Sequence, residues 1–256
     1  MSLSYEIRKE KILSDLEKNE IIKVSHLAEL LNVSGETIRR DLDRLDEEGY
    51  LKKVYGGAVK TKQSTEPTFI QKTSINRDEK REICKTAASL VEDNDNIIIG
   101  HGTTAAELMN FLMNKNNLTI ITSSVPVLNL AMDYTKGKVI FLGGELESHQ
   151  QFIGGHFSNL ILDKFNVNKA FLAAGGLSFK NGITDYDING SILAGQMMDK
   201  AEEVIILADH TKFGKSTFAH IKPLTAASMI ITNSHCSDEW KEYLEEHNIH
   251  LLISEN

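Results

Sequence analysis

The chain has 256 residues, enough for one domain of ordinary size and one small one. Apolar residues at 41% and charged residues at 25% describe a globular protein with a sizeable core, and no apolar run approaches the roughly 20 residues that span a bilayer. Two cysteines without a CxxC pattern and no leading signal-like stretch exclude a disulfide framework and point to a reducing cytoplasm, while a net charge of -8 leaves any nucleic-acid contact to a local basic face.

The first 62 residues hold about twelve basic and about twelve acidic side chains, so the acidic excess lies beyond them. Residues 4–60 read as three short helices and a hairpin. The first helix carries an apolar stripe of Ile7, Ile12, Leu13 and Leu16 among Arg8, Lys9, Lys11 and Glu17. The second, near Ser25 to Leu31, buries Leu27, Leu30 and Leu31. A tight turn follows at Asn32–Val33, and Ser34 caps a third helix with Glu36 in its first turn. That helix buries Ile38, Leu42 and Leu45 and stops near Gly49. Tyr50 to Val54 and Ala58 to Lys60 read as strands around a Gly56–Gly57 turn.

A short helix, a turn and a longer helix in succession give the geometry that places a recognition helix in the major groove. Thr37, Arg39, Arg40 and Arg44 lie off the core stripe of the third helix, and Ser34 and Thr37 stand near its start for base-edge or phosphate contact. Arginine's forked donors match phosphate or the guanine O6 and N7 acceptors. Lys52, Lys53 and Tyr55 on the hairpin suit a wing against the neighbouring phosphate backbone.

The string VSHLAELLNVSGETIRRDLDRLDEEGYLKKVYGGAV, Val24 to Val59, resembles the signature of the DeoR (deoxyribose operon repressor) family. The resemblance makes Val33–Leu42 the recognition region and Gly56–Gly57–Ala58 part of a wing. Lys23 departs from it, standing where a serine or threonine cap is common.

Residues 61–76 contain Thr, Gln, Ser and Pro67 without a clear period and read as a linker between a DNA-binding domain, 1–60, and a larger domain, 77–256. Beyond it, strand candidates at 96–100, 118–122, 138–142, 170–173, 204–208 and 228–232 alternate with amphipathic stretches such as 81–90, 105–113 and 125–134. Continuous apolar strands separated by helices argue for an α/β domain with a mainly parallel sheet. Ligands of such sheets bind at loops that follow strands. Gly102, Thr103 and Thr104, in the loop Gly100–Thr104, offer backbone N–H groups and hydroxyls to a phosphate, and Ser123 in the next such loop adds a hydroxyl. Lys212, in Asp209–Gly214, can neutralise an anion.

The DeoR resemblance continues through Glu79–Lys80, the GHGTT loop, the paired glycines 143–144 and 154–155, and Ala208–Gly214. It implies a sensor domain resembling ribose phosphate isomerase, whose phosphorylated sugar or related anion weakens the hold on an operator. It also carries Gly102, Thr103, Thr104 and Lys212 over as effector contacts. Four positions depart: Gly100 and Asn168 stand in place of usual aspartates, Gly190 of a glutamate, and Ala194 of a lysine or arginine. The missing carboxylates indicate an altered effector or a sensor that has lost its ligand, and the sequence does not choose between them.

Nine histidines fall in no metal-ligand spacing, and no GxSxG or Walker loop is present, so no metal, cofactor or catalytic residue is expected. An isomerase-like enzyme needs a carboxylate base over the substrate carbon. The absence of acids at Gly100, Asn168 and Gly190 argues against it, with Asp185, Asp187 and Asp209 left as the conceivable bases. The reading is a two-domain regulator, working as a dimer or tetramer on double-stranded operator DNA, with a small phosphorylated metabolite as effector and no membrane partner.

Overall fold

The computed structural model describes residues 4–19, 21–47, 50–59, 66–134 and 136–254, and the chain divides into two compact units, Met1–Thr68 and Phe69–Asn256. The first unit contains α1 (Tyr5–Asn19), β1 (Ile21–Lys23), α2 (Val24–Leu31), α3 (Gly35–Glu47), β2 (Lys52–Val54) and β3 (Gly57–Val59). β3 pairs antiparallel with both other strands, in the order β1-β3-β2. The expected hairpin is β2–β3; β1 is an addition, too short for its alternation to show in the sequence. Ile12, Leu16, Leu27, Leu31, Ile38, Leu42 and Leu45 form the core with Ile22, Leu51 and Ala58 from the sheet.

Ile7 and Leu30, expected in apolar stripes, are exposed. On α1 the inward face runs through Arg8, Ile12 and Leu16, which are buried at four-residue spacing. Arg8 enters the interior because α3 supplies a partner. Its Nε donates to Asp41 Oδ2 at 2.6 Å and its Nη2 to Oδ1 at 2.9 Å, a forked pair. On α2, Val24, Leu27 and Leu31 complete the stripe without Leu30.

The α2–α3 turn closes on Asn32, at φ 50°, and the Val33 N–H donates to Ala28 O at 3.0 Å. Lys23 provides no side-chain cap for α2; instead the Val24 N–H donates to Gly56 O at 2.9 Å, so the wing turn satisfies a donor at the helix start. The approach demands glycine beside it, since a Cβ on Gly57 would lie 2.0 Å from Ile22 O.

In the second unit α4 (Phe69–Ser74) and α5 (Arg77–Ser89) precede β4 (Asn96–Ile99), α6 (Thr103–Glu107), a 3-10 turn at Leu108–Phe111 and β5 (Asn116–Thr122). Next come α7 (Val125–Tyr134), β6 (Lys136–Phe141), β7 (Glu145–Glu147), β8 (Phe152–Gly154), α8 (His156–Leu162) and β9 (Val167–Ala173). The rest comprises β10 (Gly176–Ser178), β11 (Gly182–Asp185), α9 (Ile188–Asp199), β12 (Ala201–Leu207), β13 (Ala219–Lys222), β14 (Met229–Thr232), α10 (Asp238–Glu246) and β15 (His250–Ile253). Of the segment expected as a linker, 61–65 lie outside the described residues, and its later part carries α4. Phe69 of that helix is buried, and its N–H donates to His149 O at 2.8 Å.

All six expected strands belong to one parallel sheet, with β15 as a seventh, in the order β15-β14-β12-β9-β4-β5-β6. One face is covered by α5, α6 and α7, through residues such as Ile83, Ala87, Ala105, Val127 and Ala131. The opposite face is covered by α8, α9 and α10, through Leu162, Leu193, Met197, Trp240 and Leu244. The chain winds from β4 toward β6 on one side, then returns to β9 and winds toward β15 on the other. The winding therefore reverses between β4 and β9, and a doubly wound sheet opens a crevice at the carboxyl ends of such strands. Among the described residues no helix is long and apolar enough to cross a membrane.

Candidate functional site

In the first unit, Ser34 Oγ accepts from the Thr37 N–H at 3.1 Å and lies 2.9 Å from Thr37 Oγ1, so it caps α3 as expected. Arg39 and Arg40 are exposed on α3, with Arg39 Nη1 3.4 Å and Arg40 Nε 3.6 Å from the Glu36 carboxylate. Ion pairs so exposed contribute at most about 1 kcal/mol and exchange readily for a stronger anion. Arg44 is differently placed: its guanidinium lies 4.1 Å from the centre of the Tyr5 ring, stacking α3 on α1. On the hairpin, Lys52 Nζ is 3.9 Å from Asp46, and Lys53 is paired with Asp43. Tyr55 at the wing tip is fully exposed. The structure thus gathers the predicted residues on α3 and its adjoining hairpin within one small unit.

The GHGTT loop leaves β4 at the carboxyl end of the sheet, where a doubly wound sheet takes its ligand and where the sensor crevice is therefore expected. Gly102 has φ 105°, a conformation that side chains rarely adopt, and stands before the short α6. Thr103 opens that helix half-buried. Thr104 is buried, and its carbonyl accepts from Cys84 Sγ at 3.0 Å. Ser123, after β5, is fully buried; its carbonyl accepts from Ile153 N at 2.8 Å, while its Oγ makes no hydrogen bond. A buried hydroxyl left so costs about 1–3 kcal/mol, which a bound polar group would offset.

His101 organises the crevice wall. Its ring stacks on Phe152, with centroids 4.4 Å apart, and its Nε2 lies 3.2 Å from Asp185 Oδ2. Asp185 Oδ1 accepts from the Tyr186 N–H at 2.8 Å. Burial pushes the Asp185 carboxyl up, but the hydrogen bond and charge of His101 and the Tyr186 N–H outweigh it and hold it below the usual carboxylate range. Gly190, held in the first turn of α9 by Asp187 Oδ1 at 2.7 Å, leaves room for this ring: a Cβ there would meet His101 Nε2 at 3.0 Å and Phe152 Cζ at 3.3 Å.

A second polar group gathers where α4 and α5 meet the loop after β12. Lys80 is buried and donates from Nζ to Lys72 O at 2.6 Å. Desolvation lowers its pKa to about 8, opposed by Asp209 and assisted by the charges of Lys212 and Lys72. Asp209, also buried, accepts from Asn76 Nδ2 at 3.1 Å and from the Thr211 N–H at 3.0 Å. Burial pushes Asp209 up, but its Thr211 hydrogen bonds, Lys212 and Asn76 together hold it low. The charges of Lys72 and Lys212 thus both act on Lys80, and Asp209, whose carboxylate is already hydrogen-bonded, acts on it in the opposite sense.

One expected departure falls elsewhere. Asn168 lies at the start of β9, and its Oδ1 accepts from Asn96 N at the start of β4, at the opposite end of the sheet from the crevice. It is therefore no missing sugar-facing carboxylate. At Gly100 a Cβ would come within 2.7 Å of Leu172 Cδ2, so a side chain there requires Leu172 to shift. Sequence reasoning did not single out Lys72 and underrated Lys80 and the pairing of His101 with Asp185. Lys80 carried a signal: it occupies the buried stripe of α5 with Ile83, Cys84, Ala87 and Ala88.

Two family models match the chain: a DeoR-like helix-turn-helix domain over residues 8–64 and a DeoR C-terminal sensor domain over residues 75–234. The chain is similar to the HTH-type transcriptional regulator IolR of Bacillus subtilis, 34% identical over 233 residues, 91% of this chain and 93% of that protein. It is also similar to the lactose phosphotransferase system repressor of Staphylococcus aureus, 32% identical over 93% of this chain and 97% of that protein. Among solved structures, ribose 5-phosphate isomerase A of Methanocaldococcus jannaschii is similar over 54% of this chain and 55% of that one, with 23% identity and a TM-score of 0.40. The two matched domains account for both units, and their relatives are named for regulating transcription, not for catalysis. The chain belongs to the DeoR family of helix-turn-helix transcriptional regulators, and is a DNA-binding regulator rather than an enzyme.

Proposed function

We propose that this regulator represses carbohydrate-metabolism genes and releases its operator when a phosphorylated sugar or a related anionic metabolite enters the sensor crevice. The observation that carries the reading is the buried Lys80, on which the charges of Lys72, Lys212 and Asp209 act, in a chain that also carries a helix-turn-helix domain. The name of the lactose phosphotransferase system repressor supports the sugar-linked half of it. In this reading, Ser34, Thr37, Arg39, Arg40 and Arg44 serve the major groove, and Lys52, Lys53 and Tyr55 the flanking backbone. Gly102, Thr103, Thr104, Ser123 and Lys212 serve the effector, joined by Lys72 and Lys80. The working division is a DNA-binding head, 1–60, a connection, 61–76, and a sensor, 77–256, assembled as a dimer or tetramer. Two buried free cysteines, Cys84 and Cys236, agree with a cytoplasmic setting.

The test is binding to the protein's own upstream DNA at several salt concentrations, with and without a panel of phosphosugars. Salt-sensitive, selective binding relieved by one compound supports the reading; selective binding that no compound alters removes its effector half. A second reading, an altered effector, is favoured by His101, which fills the space a side chain at position 190 would need. It expects relief by an anion with fewer hydroxyls than a sugar phosphate.

Two results are expected at the sensor. Lys212→Ala blunts relief about tenfold or more while leaving operator affinity intact, since one charge-assisted hydrogen bond contributes about 1.5–3 kcal/mol. A titration of operator release against effector checks this. The second concerns pH. Free Lys80 loses its proton as pH rises through about 8, and a bound anion favours the protonated form. Effector affinity is therefore flat just below pH 8 and falls by up to about tenfold per unit above it. Calorimetric titration from pH 7 to 9.5 reads the slope, which disappears in Lys80→Met.

A further inference from the structure

The outer faces of α8 and α9 are unusual for solvated helices. Phe157, Leu160 and Ile161 on α8 recur at i, i+3, i+4, and Ile188 and Ile192 on α9 at i, i+4; all are exposed, Phe157 by 66%. The two helices pack side by side on one face of the sheet, their inward residues sharing one core, so these outward residues form a single surface. From His156 to Leu162 and from Ile188 to Met198 there is no Lys, Arg, Asp or Glu. The neighbouring α10, with four glutamates, an aspartate and a lysine among its nine residues, is the ordinary case.

We propose that this face is where two copies of the chain associate through their sensor units. The proposal deepens the reading of an oligomeric regulator and rests on it. Three arguments select a second copy as the occupant. The patch itself carries no charge, so a second copy can seat on it without forcing like charges of this acidic chain together at the contact. A two-fold contact brings the same patch onto itself, and an uncharged apolar patch is self-complementary, whereas a patch of one charge sign is not. The area also fits. The five side chains offer on the order of 400–500 Å² of apolar surface, at the scale that marks an interaction site. A homodimer contact of about 800 Å² per partner, about 65% apolar, needs about 500 Å².

The test uses the full chain in analytical ultracentrifugation, wild type beside Ile192→Glu and Phe157→Glu. Both positions are exposed, so the variants keep the wild-type circular dichroism spectrum and melting profile. The expected result is a wild-type dimer or larger assembly at micromolar concentration. Its dissociation constant rises at least a hundredfold in each variant, while Lys241→Glu on α10 leaves it unchanged. A wild-type chain that sediments as a monomer overturns both this face and the oligomeric reading. Variants that associate like the wild type overturn the face alone and leave the oligomeric reading standing.

Discussion

Replacing Arg39 and Arg40 together by alanine lowers operator affinity about 10²- to 10⁴-fold, with the fold of the head intact. Each forked arginine contact to a base contributes about 1–3 kcal/mol, so two supply this range. The arginines are free to make such contacts because Glu36 holds them only through exposed pairs at 3.4 and 3.6 Å, which a phosphate or guanine edge displaces. The stability of α3 does not depend on them, since its buried side is Ile38, Leu42 and Leu45. Fluorescence anisotropy on operator and on scrambled DNA separates the two kinds of contact. Loss confined to operator marks base reading; a uniform loss with a salt slope smaller by about one per residue marks phosphate contact. Unchanged affinity on both would remove α3 as the recognition helix.

The second large effect is expected at Asp41. Cutting it to alanine leaves the Arg8 guanidinium buried without its forked partner, which costs about 3–5 kcal/mol. A small domain has about 5 kcal/mol in total, so the head of Asp41→Ala melts near or below growth temperature. Replacing both partners by apolar side chains of similar volume, Arg8→Met with Asp41→Leu, returns most of the stability, because no buried charge is left behind. The one tryptophan, Trp240, lies in the sensor unit, so its fluorescence follows the sensor. Far-ultraviolet circular dichroism and operator binding follow the head. Equal melting of Asp41→Ala and wild type would sink the account of this pair.

Arg8 and Lys80 show where the sequence could be read and where it could not. The six strands stood out because a parallel sheet covered on both faces needs uninterrupted apolar runs. β1, three residues long, did not, and neither did β15, although it is as long as β4 and β14. The helical stripes were legible through their spacing, but an arginine at the buried turn of α1 and a lysine at that of α5 read as solvated charges. Both are buried because a partner waits elsewhere: a carboxylate 33 residues away for Arg8, a backbone carbonyl eight residues back for Lys80. The wall of the crevice joins His101 to Asp185 across 84 residues, a juxtaposition that only the sheet topology creates. The glycine at position 190 looked like a lost carboxylate. In the structure it is the clearance for an imidazole.

That clearance lies on α9, the same helix that turns Ile188 and Ile192 outward. A twelve-residue helix cannot tilt on one side alone. If the effector displaces the His101 ring and copies pair on the outer face of α9, the two events are coupled through that helix. Thermodynamic reciprocity then fixes a relation between two quantities measured separately. Whatever factor the metabolite applies to the pairing of copies, pairing applies to the affinity for the metabolite. The sensitivity of the switch would then be set partly by how much of the protein the cell makes.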